Sequence, residues 1–175
     1  SVSGGNSENV RLAVDPNNNI HMVWQDDVGT DGDDDVLYRM YNYSKREFTS
    51  IVNVSDWNSP YTGGASTVPD LCVNETDVHV TWQEGTYIHY RRKTPAGWKN
   101  VYRLSASASK SPSIACNGSG VAIIYHHSAA ILNEKLLIWH NKFSSNSTEE
   151  IQPGENDADQ KQGDIFWYNN QWHIT

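Results

Sequence analysis

At 175 residues, 37% of them hydrophobic and 11% aromatic, the chain is one domain's worth of material, able to bury roughly two thirds of its unfolded surface. A formal net charge of −8 argues against a nucleic-acid partner, which would need its phosphates neutralised. No apolar run reaches the roughly 18 residues of a membrane-spanning helix, and no signal peptide is read at Ser1, although a mature secreted chain would have lost one.

Residues 1–9, SVSGGNSEN, read as a polar lead-in. Arg11 to Asp27, RLAVDPNNNIHMVWQDD, then reads as a hairpin: an apolar run, an Asn-rich turn, and an alternating run that ends at Trp24. Two further strands follow, VLYRMYN from Val36 and FTSIVNVS from Phe48. The hairpin returns at Asp70 as DLCVNETDVHVTWQEG, followed by YIHYRRK from Tyr87 and WKNVYRLS from Trp98. It returns again at Ser113 as SIACNGSGVAIIYHHS, followed by LLIWHNK from Leu136 and STEEIQ from Ser147, and once more at Asp164 as DIFWYNNQWHIT. Repeats of this length, made of strands only and four to a repeat, predict propeller blades. The expected fold class is therefore all-β: an antiparallel β-propeller portion of about three and a half four-stranded blades. The boundaries fall at 10–55, 68–105 and 111–152, with a partial fourth blade at 163–175.

The order of hairpin, Trp-Gln-Asp, aromatic-basic strand and Gly-Trp before the outer strand resembles the sialidase-like, BNR-repeat β-propellers of secreted proteins. The Asp-box turn of that family survives here as TPAGW, Thr94 to Trp98, without its Asp. The resemblance implies the fold. The sialidase site would need an arginine cluster, yet the positions matching Arg11 are Asp70, Ser113 and Asp164. Asp26 and Glu84 are carboxylates that could flank a glycosidic bond, but nothing in their spacing singles them out.

Other candidate sites belong to loops and turns. Asp26 to Asp35, DDVGTDGDDD, holds six aspartates, which makes Asp31, Asp33 and Asp35 candidate Ca²⁺ ligands, the alternative being a solvated acidic loop. Trp57 and Tyr61 lie in a polar connection where they either stack on a sugar or cap a neighbouring blade. Sequons stand at Asn42, Asn53, Asn74, Asn117 and Asn146; with strands lettered a to d outward from the axis, all but Asn53 fall at a–b or c–d turns, on one face. Cys72 and Cys116 lie on inner strands of successive blades, one register step apart. One therefore faces forward and the other back, and a disulfide is expected. His126 and His127 are adjacent on a strand and point to opposite faces, which disfavours joint ligation. His21, His79 and His173 share one repeat position and read as packing, and Arg91, Arg92 and Lys93 as outward-facing charge.

The expected function is a non-enzymatic, extracellular, glycosylated propeller module for recognition or for surface or filament assembly. Its partners would be further blades of the same chain, copies of itself, or glycans. The alternatives are a fragment of a sialidase-like glycoside hydrolase and a lectin-type propeller. No cofactor beyond Ca²⁺ is expected.

Overall fold

The computed structural model describes residues 6–27, 33–55, 64–105, 108–118, 120–128, 134–141, 146–151, 164–169 and 171–175, with the backbone alone from 128 to 151. The described residues form no helix. Blade one comprises β1 (Ser7–Val14), β2 (Ile20–Asp26), β3 (Asp35–Asn42), β4 (Glu47–Phe48) and β5 (Val52–Asn53). Blade two comprises β6 (Ser66–Asn74), β7 (Asp77–Glu84), β8 (Tyr87–Thr94), β9 (Gly97–Trp98) and β10 (Tyr102–Arg103). Blade three comprises β11 (Ser109–Asn117), β12 (Gly120–Ser128), β13 (Glu134–Asn141) and β14 (Asn146–Ile151), and a hairpin of β15 (Ile165–Tyr168) and β16 (Gln171–Ile174) follows. Each sheet is an antiparallel meander of its own segment of chain, so the architecture is that of consecutive propeller blades, as the repeats predict.

Two details depart from the sequence pattern, each for a local reason. The inner strands start earlier than alternation suggests: β1 begins at Ser7, inside the polar lead-in, and β6 and β11 begin before residues 68 and 111. A β-bulge breaks the alternation between Glu8 and Arg11, Thr67 and Asp70, and Lys110 and Ser113. The outer strand of blades one and two is split in two because an arginine enters the ladder. Arg39 Nε donates to the Thr49 carbonyl (2.8 Å) and Arg91 Nε to the Lys99 carbonyl (2.9 Å). Their guanidinium groups cover Phe48 and Trp98 at 4.6 and 5.5 Å from the ring centroids. Blade three has Trp139 at the equivalent position, and its outer strand β14 is continuous.

Within a blade the repeated residues repeat their bonds. His21 Nδ1 meets the Tyr38 hydroxyl at 2.8 Å and His79 Nδ1 meets Tyr90 at 2.7 Å, all four groups buried. Blade three has Ala122 and Ile138 there, losing both partners together. Ser55 and Ser105 each accept the amide of the first core residue of the third strand, Val36 (3.0 Å) and Ile88 (2.8 Å). His21 and His79 are thus packing elements, as read from the repeat, whereas His173 is only half-buried and meets the Tyr168 carbonyl at 3.2 Å. Arg91 and Arg92 are more than outward-facing charge, because Arg92 Nε also bonds Asp77 at 2.9 Å.

Between blades, one face meets the next in the same way each time. The forward face of blade one (Val23, Val36, Tyr38, Val54) forms a buried cluster with the rear face of blade two (Leu71, Val78, Val80, Trp82, Val101). Ile88 and Tyr90 of blade two then meet Ile114, Val121, Ile123 and Tyr125 of blade three. Ala115, Ala122 and Ile124 in turn meet Ile165, with Trp172 packed against them. Cys72 faces forward and Cys116 back, and they are joined by a disulfide with Cα atoms 5.9 Å apart. Their separation of 44 residues closes a long loop of the unfolded chain. Replacing both with alanine is expected to lower unfolding stability by about 2–4 kcal/mol, read from urea midpoints under non-reducing conditions.

Candidate functional site

The three bulges bear on what faces the axis. Each puts a non-glycine residue in the left-handed region at the same repeat position: Asn9 (φ 53°), Val68 (φ 49°) and Ser111 (φ 52°). For Val68, β-branched, this conformation is costly and must be held by its surroundings. The holder is a glutamine of the preceding blade. Gln25 Oε1 accepts the Val68 amide at 3.3 Å, and Gln83 Oε1 accepts the Ser111 amide at 3.2 Å. The glutamine after the tryptophan thus plays the same part in both repeats.

Just past each bulge, Arg11, Asp70 and Ser113 line a cavity of about 400 Å³, together with Asp164, Val68 and Thr175. These are the four residues that the repeat aligns, gathered from β1, β6, β11 and the residue before β15. Asp70 Oδ2 accepts the Ile114 amide (2.9 Å) and the Ser113 hydroxyl (3.2 Å), both from blade three. Ser113 Oγ in turn accepts the Ile165 amide (3.4 Å) and lies 3.5 Å from Asp164 Oδ1. A polar ladder thus runs from blade to blade along the inner strands. Arg11 Nε is 3.9 Å from Asp70 Oδ1, and its side chain is 51% exposed. Burial pushes the Asp70 carboxyl above its ordinary range, although the Ile114 and Leu71 amides, the Ser113 hydroxyl and Arg11 all favour its charged form.

The two carboxylates that could in principle flank a glycosidic bond are built into blades. Asp26 is fully buried and accepts from Ser7 Oγ (2.6 Å) and Trp24 Nε1 (2.9 Å). Glu84, its repeat counterpart, takes Trp82 Nε1 at 3.4 Å, and burial raises its carboxyl. The axial cavity includes neither of them. Asp35 accepts from Ser55 Oγ (2.8 Å) and Asp33 is exposed, while Asp31, Trp57 and Tyr61 lie outside the described residues. Among the described residues no group of three His, Cys, Asp or Glu is placed to hold a metal.

Asn42, Asn74 and Asn117 end β3, β6 and β11, and Asn146 begins β14, so all four lie at one end of the sheets. The cavity residues cluster towards the opposite end, past the bulges near the start of the inner strands. Asn53 is half-buried in β5, with its side-chain Oδ1 2.9 Å from Ser55 Oγ. Repeat alignment finds Arg11, Asp70, Ser113 and Asp164 as one set, but it does not show that they interlock. That follows from the bulges, which no residue type marks.

The sequence matches no family model and no curated protein. Among solved structures, Bacteroides ovatus xyloglucan PUL GH43B is similar, with a TM-score of 0.58 at 11% identity over 98% of this chain. The match covers 36% of that glycoside hydrolase, so this chain spans about a third of its length. The likeness supports the propeller-type fold and does not single out the sialidase-like repeat.

Proposed function

We propose that these residues are part of an extracellular, non-enzymatic β-propeller module that recognises a hydroxyl-rich ligand, a carbohydrate in class, at the axial cavity. The observation that carries this reading is the division of labour along the axis. Asp70 and Ser113 are engaged as links between blades, whereas Arg11 and Asp164 are exposed beside them, each held only at long range, 3.9 Å from Asp70 and 3.5 Å from Ser113. A carboxylate and a guanidinium bordering a polar cavity suit the paired donors and acceptors of a sugar. The disulfide supports an oxidising compartment. N-glycans at Asn42, Asn74, Asn117 and Asn146 would lie at the opposite end and leave the cavity open. Calorimetric titration with a panel of neutral oligosaccharides tests the reading. Arg11→Ala and Asp164→Asn are each expected to weaken binding about tenfold or more without moving the unfolding midpoint. Binding by no oligosaccharide, or binding indifferent to both substitutions, would remove the proposal.

A second reading, a glycoside hydrolase portion, is favoured by one observation: Asp70 and Asp164 reach the same Ser113 hydroxyl, which makes them an axial carboxylate pair. The name of the structural neighbour points the same way. Oligosaccharide hydrolysis abolished by Asp164→Asn would replace the first reading with this one.

A further inference from the structure

Two residues that line the axial cavity hold a backbone conformation that their own chemistry disfavours. Val68 and Ser111 lie within β6 and β11 at φ 49° and 52°. Apart from Asn9, the other non-glycine residues at positive φ among the described residues lie between strands. The left-handed region is costly for any residue with a Cβ. It is more so here, because Pro69 and Pro112 follow directly and bias the residue before them towards extended conformations. Asn9, the counterpart in blade one, is of a type that visits this region readily. Such strain persists only where the surroundings over-determine it, and it gathers at ligand sites.

The surroundings that hold it are specific. At each bulge the ladder passes over two residues, Val68 and Pro69 after Thr67, and Ser111 and Pro112 after Lys110. Proline has no N–H, so one amide per bulge needs an acceptor, and it finds the Oε1 of Gln25 or of Gln83 in the preceding blade. Each glutamine is anchored by its other end. Gln25 Nε2 donates to Asp34 Oδ2 at 2.7 Å and Gln83 Nε2 to the Gly85 carbonyl at 2.9 Å, which fixes the plane of the side-chain amide and leaves Oε1 turned to the next blade. Neither glutamine lines the cavity; both reach it through the backbone of residues that do.

We infer that Gln25 and Gln83 are positioning residues of the axial site, holding Val68 and Ser111 in the left-handed conformation that a bound oligosaccharide requires. The inference rests on the carbohydrate reading of the cavity. Without its acceptor, Ser111 would spend most of its time at negative φ, displacing Pro112 and Ser113 from the cavity wall, and a solute would bind only the remaining fraction of molecules. Affinity falls in proportion to that fraction, and the left-handed penalty corresponds to a loss of about five- to thirtyfold.

The test uses Gln83, which is half-buried. Hydrogen exchange at the Ser111 amide reads the clamp without any ligand, and calorimetric titration with cellotetraose, xylotetraose and maltotetraose reads the site. Gln83→Met keeps the length of the side chain but removes the acceptor. The Ser111 amide is then expected to lose protection, and affinity to fall about five- to thirtyfold. Gln83→Glu keeps the acceptor and should restore both. Adding Gln83→Met to Ser111→Gly should cost at most about twofold relative to Ser111→Gly alone, because glycine populates positive φ about as readily as negative φ. A Ser111 amide still protected in Gln83→Met, or protection lost with affinity unchanged, would overturn the inference and leave the carbohydrate reading standing. An equal loss of affinity with and without Ser111→Gly would do the same. Binding of none of the three sugars by the unsubstituted chain would overturn both.

Discussion

Replacing Trp82 with alanine is expected to lower the unfolding free energy by about 3–5 kcal/mol, the range for a large aromatic removed from a packed core. Trp82 is fully buried between blades one and two, stacks on His89 at 5.7 Å and donates its indole N–H to Glu84. Truncation leaves a cavity lined by Val23, Val36 and Val80 and strips a hydrogen bond from a buried carboxylate. The same change at Trp24 provides the control. Trp24 occupies the identical repeat position and also donates to a buried carboxylate, Asp26, but is half-buried on the rear face, so in the isolated chain its loss should cost less, the difference reporting the packing alone. Urea unfolding of the two variants gives both numbers. Equal costs would mean that the rear faces of blades one and two do not differ as described.

Acid should destabilise the fold by a few kcal/mol through His79 and His89. Burial, reinforced by Arg92 for the first and Arg103 for the second, holds each imidazole down to about 4 from an ordinary 6.5. Both rings are about 1% exposed, so little solvent relieves the charged form. With the folded value below the unfolded one, the unfolded chain binds more protons between the two, and stability falls as pH falls. The contribution is complete above pH 6.5, is lost progressively towards pH 4, and is flat below that. Each histidine accounts for at most about 3 kcal/mol. Glu84 and Asp70, whose carboxyls burial raises, act in the opposite sense, their contributions declining as pH rises through their elevated values. Chemical unfolding at pH 7 and pH 4.5 should show the loss, and His79→Gln should remove part of it. A pH-independent midpoint across this window would contradict the burial of both rings.

The fold was legible because its repeats conserve position as well as character. Trp24, Trp82 and Tyr125 mark one register, His21 and His79 another, and the single-step offset of Cys72 and Cys116 turns their side chains towards each other. The blade junctions were less legible. Val68 carries a positive φ that no sequence rule assigns to a valine, and the bulge it creates extends β6 back to Ser66. Likewise Arg39 and Arg91 look like ordinary strand charges until their bonds to the outer strand show why it is broken. The axial set could be aligned from sequence. Its interlocking could not, because hydrogen bonds between Asp70 and blade three depend on how successive blades are rotated about the axis.

That interlocking is tested most directly by a double-mutant cycle of Asp70→Ala and Ser113→Ala, read as unfolding free energies. Asp70→Ala leaves the Ile114 amide without its acceptor and should cost about 1–3 kcal/mol, with a coupling to Ser113→Ala of about 0.5 kcal/mol or more. A cost for Asp70→Ala within about 0.5 kcal/mol of zero and no coupling, as for a surface residue, would show that the axial side chains do not hold the blades together.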